Sequence, residues 1–225
     1  MKKLIRRAPV LHKALARMNQ KFFGFKSFRS SGSYWERRYA SDGNSGPGSY
    51  GRLADFKARV INEFVANHNI SRVIEFGCGD GNQLALAEYP YYVGVDVSGT
   101  AVNLCKSKFK NDPSKSFLVL GDYDGRTADL ALSLDVIYHL IEDEVFDKYM
   151  RQLFNASEAY VIVYSSNYEW SPANANHVRH RKFTDFIAKE FPQWQLIQHL
   201  QNDYPTDGAE NDGSFAEFYI YRCSK

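Results

Sequence analysis

Short apolar runs alternate along this chain with stretches whose apolar positions recur every three or four residues. The runs are Val73-Ile74-Glu75-Phe76, Tyr92-Val93-Gly94-Val95-Asp96-Val97, Phe117-Leu118-Val119-Leu120, a fourth starting at Asp129-Leu130-Ala131-Leu132, and Ala159-Tyr160-Val161-Ile162-Val163. Each reads as a buried strand. Helical periodicity is expected between them, over residues 53–67, 82–88, 99–109 and 143–157. Ser98 is placed to cap the third of these helices. In the fourth, Val145, Phe146, Tyr149, Met150, Leu153 and Phe154 share one side. A further helix over 184–191 stops at Pro192. Two last strands, 194–200 and 215–222, flank an acidic loop at 203–212. Strands alternating with helices predict an α/β fold. The expected architecture is a seven-stranded, mostly parallel sheet with helices on both faces and a C-terminal antiparallel hairpin.

The first fifty residues are different material. Leu4, Ala8, Leu11, Leu15, Met18 and Phe22 fall on one helical face, with Lys and Arg on the remainder. Residues 1–35 hold nine basic side chains and no acid. The whole chain of 225 residues carries only +2, so residues 36–225 balance at −7. A basic amphipathic helix suits an anionic membrane surface, or packing on the body or on a second subunit. Residues 30–51 are rich in Ser and Gly and read as a loop. The expected division is 1–51 as a basic amphipathic helix with the segment that follows it, and 52–225 as the α/β domain.

No apolar run approaches the ~18 residues of a membrane span. Three scattered cysteines suggest a reducing compartment and no zinc site. The expected location is the cytoplasm, with membrane association through residues 1–30. The acidic body also argues against a nucleic-acid partner.

The chemistry concentrates at residues 75–81, Glu-Phe-Gly-Cys-Gly-Asp-Gly. Gly77, Gly79 and Gly81 allow a sharp turn and close approach of a ligand. The third glycine comes one residue too early for the dinucleotide pattern G-x-G-x-x-G. Glu75 would repel a diphosphate but attract an ammonium or sulfonium, and S-adenosylmethionine carries both. Asp96, 15 residues after Gly81, ends the second strand and suits two ribose hydroxyls. Asp122 suits an adenine amino group. In this order E-F-G-C-G-D-G, G-V-D-V-S, L-G-D-Y and L-S-L-D-V-I-Y-H-L resemble the class I S-adenosylmethionine-dependent methyltransferases, over residues 71–166. That resemblance implies the fold above, S-adenosylmethionine as cofactor, and a pocket of Glu75, Gly77, Cys78, Gly79, Asp96, Val97, Asp122, Tyr123 and Leu134. By the same analogy the aromatic segment before the core folds over the cofactor as a lid, with Tyr34 touching it and Arg38 pairing with its carboxylate.

Methyl transfer to a hydroxyl needs a group to receive a proton. His139 follows the fourth strand, and Asp135 is placed to orient it or to act itself. His177, Arg179, His180 and Arg181 crowd a loop after the fifth strand and suit a phosphate or carboxylate on the acceptor. Asp135 and Asn167 sit where magnesium-dependent members hold metal, but no third ligand is evident, so no metal is expected. The fourth strand lacks the Asn/Asp-Pro-Pro-Tyr/Phe sequence of base-amine methyltransferases. A small-molecule or glycan hydroxyl is the expected acceptor, a lipid-linked bacterial surface glycan among them. N-methylation of a small molecule and a non-catalytic cofactor-binding role are the competing readings. A nicotinamide dehydrogenase is opposed by the glycine spacing and the lack of Tyr-x-x-x-Lys.

Overall fold

A computed structural model describes residues 28–173, 175–206 and 213–224. The amphipathic stripe of residues 4–22 lies outside the described residues, as does part of the acidic loop. Seven strands form one sheet in the order β3-β2-β1-β4-β5-β7-β6. They are β1 (Arg72–Phe76), β2 (Tyr91–Asp96), β3 (Lys115–Val119), β4 (Ala128–Leu134), β5 (Ser157–Ser165), β6 (Trp194–Leu200) and β7 (Glu217–Cys223). The first five pair in parallel, and β7 runs antiparallel between β5 and β6. The β6–β7 register shifts between Leu196 and Gln198.

The strands are apolar because both sheet faces are covered. On one face α2 (Gly51–Asn67) lays Phe56, Val60, Ile61 and Phe64 against Val73, Leu130, Leu132 and Phe218. On the other, α4 (Asp143–Asn155) and α5 (Phe183–Glu190) bury Phe146, Met150, Leu153, Phe154 and Ile187 against Ile74, Phe76, Ala131 and Val163. Ser98 caps α3 (Gly99–Lys108), its hydroxyl accepting from the Ala101 N–H at 3.1 Å. Strand order reverses between β1 and β4, and a crevice opens there at their C-terminal ends, where ligands of such sheets bind.

Two expectations need correction. Residues 82–88 form no α-helix; a single 3-10 turn spans Gln83–Leu86. Ala87 is already extended, and Pro90 biases the residue before it away from helix. Asn82 and Gln83 also spend their side-chain amides on the carbonyls of Ser49 and Ala54. Residues 30–51 are not simply a loop. Ser30 caps a helix, α1 (Ser31–Ala40), accepting from the Ser33 N–H at 3.2 Å.

Candidate active site

The floor of the crevice is the glycine turn. Glu75 is buried and accepts from the Tyr92 hydroxyl at 2.7 Å. Asp96, also buried, accepts from the backbone N–H groups of Gly79 at 2.9 Å and Ser98 at 2.8 Å. Burial pushes the Glu75 carboxyl up to about 7 against the pull of Tyr92 and Lys57. It pushes Asp96 up to about 6 against its backbone donors. Both are therefore carboxyls that a cationic or hydroxyl-bearing ligand would help to ionise. Cys78 is held protonated by hydrogen bonding with Cys105 and by burial, so it is an inert wall rather than a nucleophile. Gly79 sits at φ +58, and a Cβ there would lie 2.3 Å from Ser45 Oγ and 2.9 Å from the Tyr39 hydroxyl. Only glycine lets those two groups rest on the turn.

Over the floor runs α1. Ser31 donates through its N–H at 3.0 Å and its hydroxyl at 2.6 Å to Glu142. Further along, Glu36 accepts from the hydroxyls of Ser98 at 2.7 Å and Thr100 at 2.6 Å. The helix is thus fixed on both flanks, to the segment after β4 and to the start of α3. Ser45 continues the strap: its N–H donates to Asp80 at 2.9 Å, and its hydroxyl accepts from the Asp80 N–H at 3.0 Å. Trp35 and Tyr39, one helical turn apart, line the cavity beneath. Tyr34 and Arg38 do not. Tyr34 stacks on the His177 ring at 4.6 Å, and Arg38 donates to the Asn44 carbonyl at 2.6 Å.

The far wall follows β4. Asp135 has φ +60, and its carboxylate is shared by the Lys57 ammonium at 2.6 Å and the Tyr138 hydroxyl at 2.9 Å. It does not orient His139. That role belongs to the backbone of His177, whose carbonyl accepts from His139 Nδ1–H at 2.9 Å. His139 is enclosed further by Trp35, edge-on at 4.9 Å. Burial lowers its pKa to about 4. The ring is neutral, and Nε2, with no partner among the described residues, keeps its lone pair.

The histidine and arginine loop is turned elsewhere. Arg179 donates to the Ile141 carbonyl at 3.0 Å and pairs with Asp143 at 2.8 Å. Arg181 is buried and donates to the carbonyls of Leu140 and Ile141 and to Asp143. His180 Nδ1 shares a 2.6 Å hydrogen bond with the Ser166 hydroxyl. None of these side chains, nor that of His177, lines the cavity. Asp122 is exposed beyond its rim, and Tyr123 donates to the Arg126 carbonyl at 2.7 Å. Asn167 is held by Thr184, and no group of three metal-ligating side chains occurs among the described residues.

The cavity holds about 400 Å³. Of the residues singled out from the sequence, Glu75, Gly77, Cys78, Gly79, Asp96, Val97, Leu134, Asp135 and His139 face it. Also present, and not foreseen, are Trp35, Tyr39, Lys57, Gln83, Glu142 and Gln152. The Oε1 atoms of Gln83 and Gln152 are buried without a partner. Unmet acceptors beside two raised carboxyls fit a ligand bearing an ammonium and hydroxyls, as S-adenosylmethionine does.

A family model of a methyltransferase domain matches residues 49–204. A search of curated proteins finds no match. Among solved structures, the N-methyltransferase NodS from Bradyrhizobium japonicum WM9, in complex with S-adenosyl-L-homocysteine, gives a TM-score of 0.66 at 15% identity, with 88% of this chain covering 100% of that one. Magnesium protoporphyrin IX methyltransferase (ChlM) from Synechocystis PCC 6803, with bound S-adenosyl-L-homocysteine, gives 0.60 at 15% identity, with coverages of 91% and 100%. The methyltransferase domain of bacterial CtHen1-C gives 0.61 at 21% identity, with 77% and 100%. These likenesses establish the shared fold. With a family model spanning well over half its length, the chain belongs to the methyltransferase-domain family, as a class I S-adenosylmethionine-dependent methyltransferase.

Proposed function

We propose that this methyltransferase acts on a hydroxyl oxygen of a small-molecule or glycan acceptor, with His139 as the proton acceptor. The observation that carries the reading is the His139 tautomer. Its Nδ1–H is committed to the His177 carbonyl, so Nε2 is left as an acceptor on a residue that lines the cavity. The bound donor supplies a methyl carbon already activated by its sulfonium charge. Glu75 would hold the donor's ammonium, Asp96 its ribose hydroxyls, and Val97 with Leu120 an apolar wall for adenine. Trp35 and Tyr39 exclude water from above. Because burial makes His139 a weak base, it takes the proton as the acceptor oxygen is alkylated and becomes acidic, rather than beforehand.

His139→Ala should lower kcat by about 10²- to 10⁴-fold, the usual scale for a general base, while S-adenosylhomocysteine still binds. Activity is read as label taken from methyl-labelled donor by fractions of a small-molecule extract. At saturating donor, the wild-type kcat should stay level in mild acid and fall only toward about pH 4. Loss of S-adenosylhomocysteine binding with an unchanged pH profile would make His139 a pocket wall. Transfer of label to amines alone would support N-methylation instead.

The basic stripe of residues 1–30 supports a second element of the proposal, docking on an anionic membrane where a lipid-linked acceptor resides. Removing residues 1–27 should reduce cosedimentation with anionic vesicles and leave cofactor affinity unaltered. Equal cosedimentation would leave the stripe as a packing element.

A further inference from the structure

Lys57 sits on the apolar stripe of α2, four residues after Leu53 and four before Ile61, and is only 1% exposed. A lysine this buried is unusual. Its ammonium carries three N–H donors. Asp135, at 2.6 Å, is its one hydrogen-bond acceptor among the described residues; the Tyr164 ring, centred 5.3 Å away, adds a π face. Unspent donors on a buried cation are costly unless something in the cavity accepts them, and Lys57 lines that cavity. Its charge also reaches Glu75, the carboxyl at the end of β1.

A second, independent observation lies beside it. Gln83 donates through Nε2 to the Ala54 carbonyl at 3.0 Å, three residues before Lys57 on the same helix. Its Oε1 is left buried and without a partner in the cavity wall. The cavity wall therefore presents unspent N–H donors from Lys57 and unspent acceptors from Glu75 and Gln83. An α-amino acid bears its ammonium and carboxylate on one carbon and needs such an arrangement. The other lining cation, Lys148, is exposed, and Arg38 does not line the cavity.

We infer that Lys57 is the carboxylate-binding residue of this cavity, forming with Glu75 and Gln83 a receptor for the zwitterionic end of the methyl donor. The inference rests on the cofactor site proposed above. Asp135 neutralises the ammonium and aims it, and the incoming carboxylate shares Lys57 with it. The same cation would suit a carboxylate on the acceptor, and the experiment separates the two sources.

Calorimetry compares S-adenosylhomocysteine with its decarboxylated analogue, which keeps the amine. The wild type should prefer the carboxylated ligand by about 10- to 100-fold, the scale of a charge-assisted hydrogen bond. The double variant Lys57→Met, Asp135→Asn removes both charges together and should erase that preference by weakening S-adenosylhomocysteine alone. Asp135→Asn alone keeps the cation and should keep or raise the preference, which covers the case of a double variant that does not fold. Benzoate is then titrated into the complex with S-adenosylhomocysteine. If the wild type shows no preference between the two nucleosides but binds benzoate in a Lys57-dependent manner, the carboxylate belongs to the acceptor. A folded double variant that retains both the preference and any benzoate binding overturns the assignment. Failure of S-adenosylhomocysteine to bind the wild type at all would count against the cofactor site itself, and not against Lys57.

Discussion

The glycine-turn floor and the loop at residues 177–181 both lie at the C-terminal edge of the sheet, and both are rich in charged side chains. They use them in opposite ways. At the floor, Glu75 and Asp96 are buried carboxyls with few protein donors, and each keeps accepting capacity toward the cavity. In the loop, Arg179 and Arg181 are consumed by the carbonyls of Leu140 and Ile141 and by Asp143. A guanidinium has five donors, and a buried one is tolerated only when most are matched. Much of that matching comes from backbone carbonyls of the turn after β4, so the arginines tie that turn in place. Charge density alone marks a site poorly; what matters is how much hydrogen-bonding capacity the protein leaves unspent.

The largest expected effect that would sharpen this contrast is on stability. Arg181→Ala strips the Leu140 carbonyl of its side-chain donor and removes a partner of Ile141 and Asp143. Leaving such groups unpaired should cost about 2–4 kcal/mol. For a chain of this size that is a fall in Tm of roughly 5–15 °C, with a much smaller change in affinity for S-adenosylhomocysteine. Unchanged melting with weakened acceptor use would restore Arg181 as a substrate residue and break the comparison.

Asp96→Asn should show the reverse: a modest change in melting, and about 10- to 150-fold weaker S-adenosylhomocysteine binding from lost charge-assisted hydrogen bonds. Unaltered affinity in a folded variant would remove the end of β2 from the cofactor site.

The smallest effect is on pH dependence. Glu75 at about 7 and Asp96 at about 6 lie above their unfolded values of 4.5 and 3.8. The folded, cofactor-free protein therefore holds extra protons between about pH 4 and 7, and these two groups contribute less stability as pH rises through that window. His139, lowered from 6.5 to about 4, contributes in the opposite sense, gaining stability with rising pH. Melting curves alone would thus blur the two. Proton release is cleaner. A ligand with a cationic amine favours the ionised form of Glu75, so S-adenosylhomocysteine should release protons on binding and bind more tightly at pH 7.5 than at 5.5. Affinity should change at most tenfold per pH unit for each proton released. Calorimetry in buffers of different ionisation enthalpy that finds no release would mean these carboxyls are already ionised.

Much of this arrangement is legible from local pattern. The glycine turn, the acids ending β1 and β2, the Ser98 cap and the terminal hairpin come from short-range rules of strand and turn chemistry. That the segment around Tyr34 to Tyr39 meets the cavity is legible, but not its phase. Tyr34 and Arg38 share a helical face, but Trp35 and Tyr39, turned by one residue, are the pair that meets the cavity. Unless Ser30 is recognised as an N-cap, there is no helix on which to choose a face. Lys57 does carry a signal in the sequence, a cation on an otherwise apolar stripe. The roles of Gln83, Gln152 and the carbonyl of His177 are not legible, because they depend on contacts between segments far apart in the chain.

The register shift in β6 bears on how the molecule behaves in company. This strand is the outer edge of the sheet, and Leu196 and Ile197 stand exposed on it. An unbroken edge of that composition would offer a second chain a continuous row of free N–H and C=O groups flanked by apolar side chains. The shift between Leu196 and Gln198 interrupts the row midway and twists the remainder of the strand. Strand addition is thereby confined to a few rungs on either side of Ile197, which guards a concentrated solution of the protein against edge-to-edge aggregation.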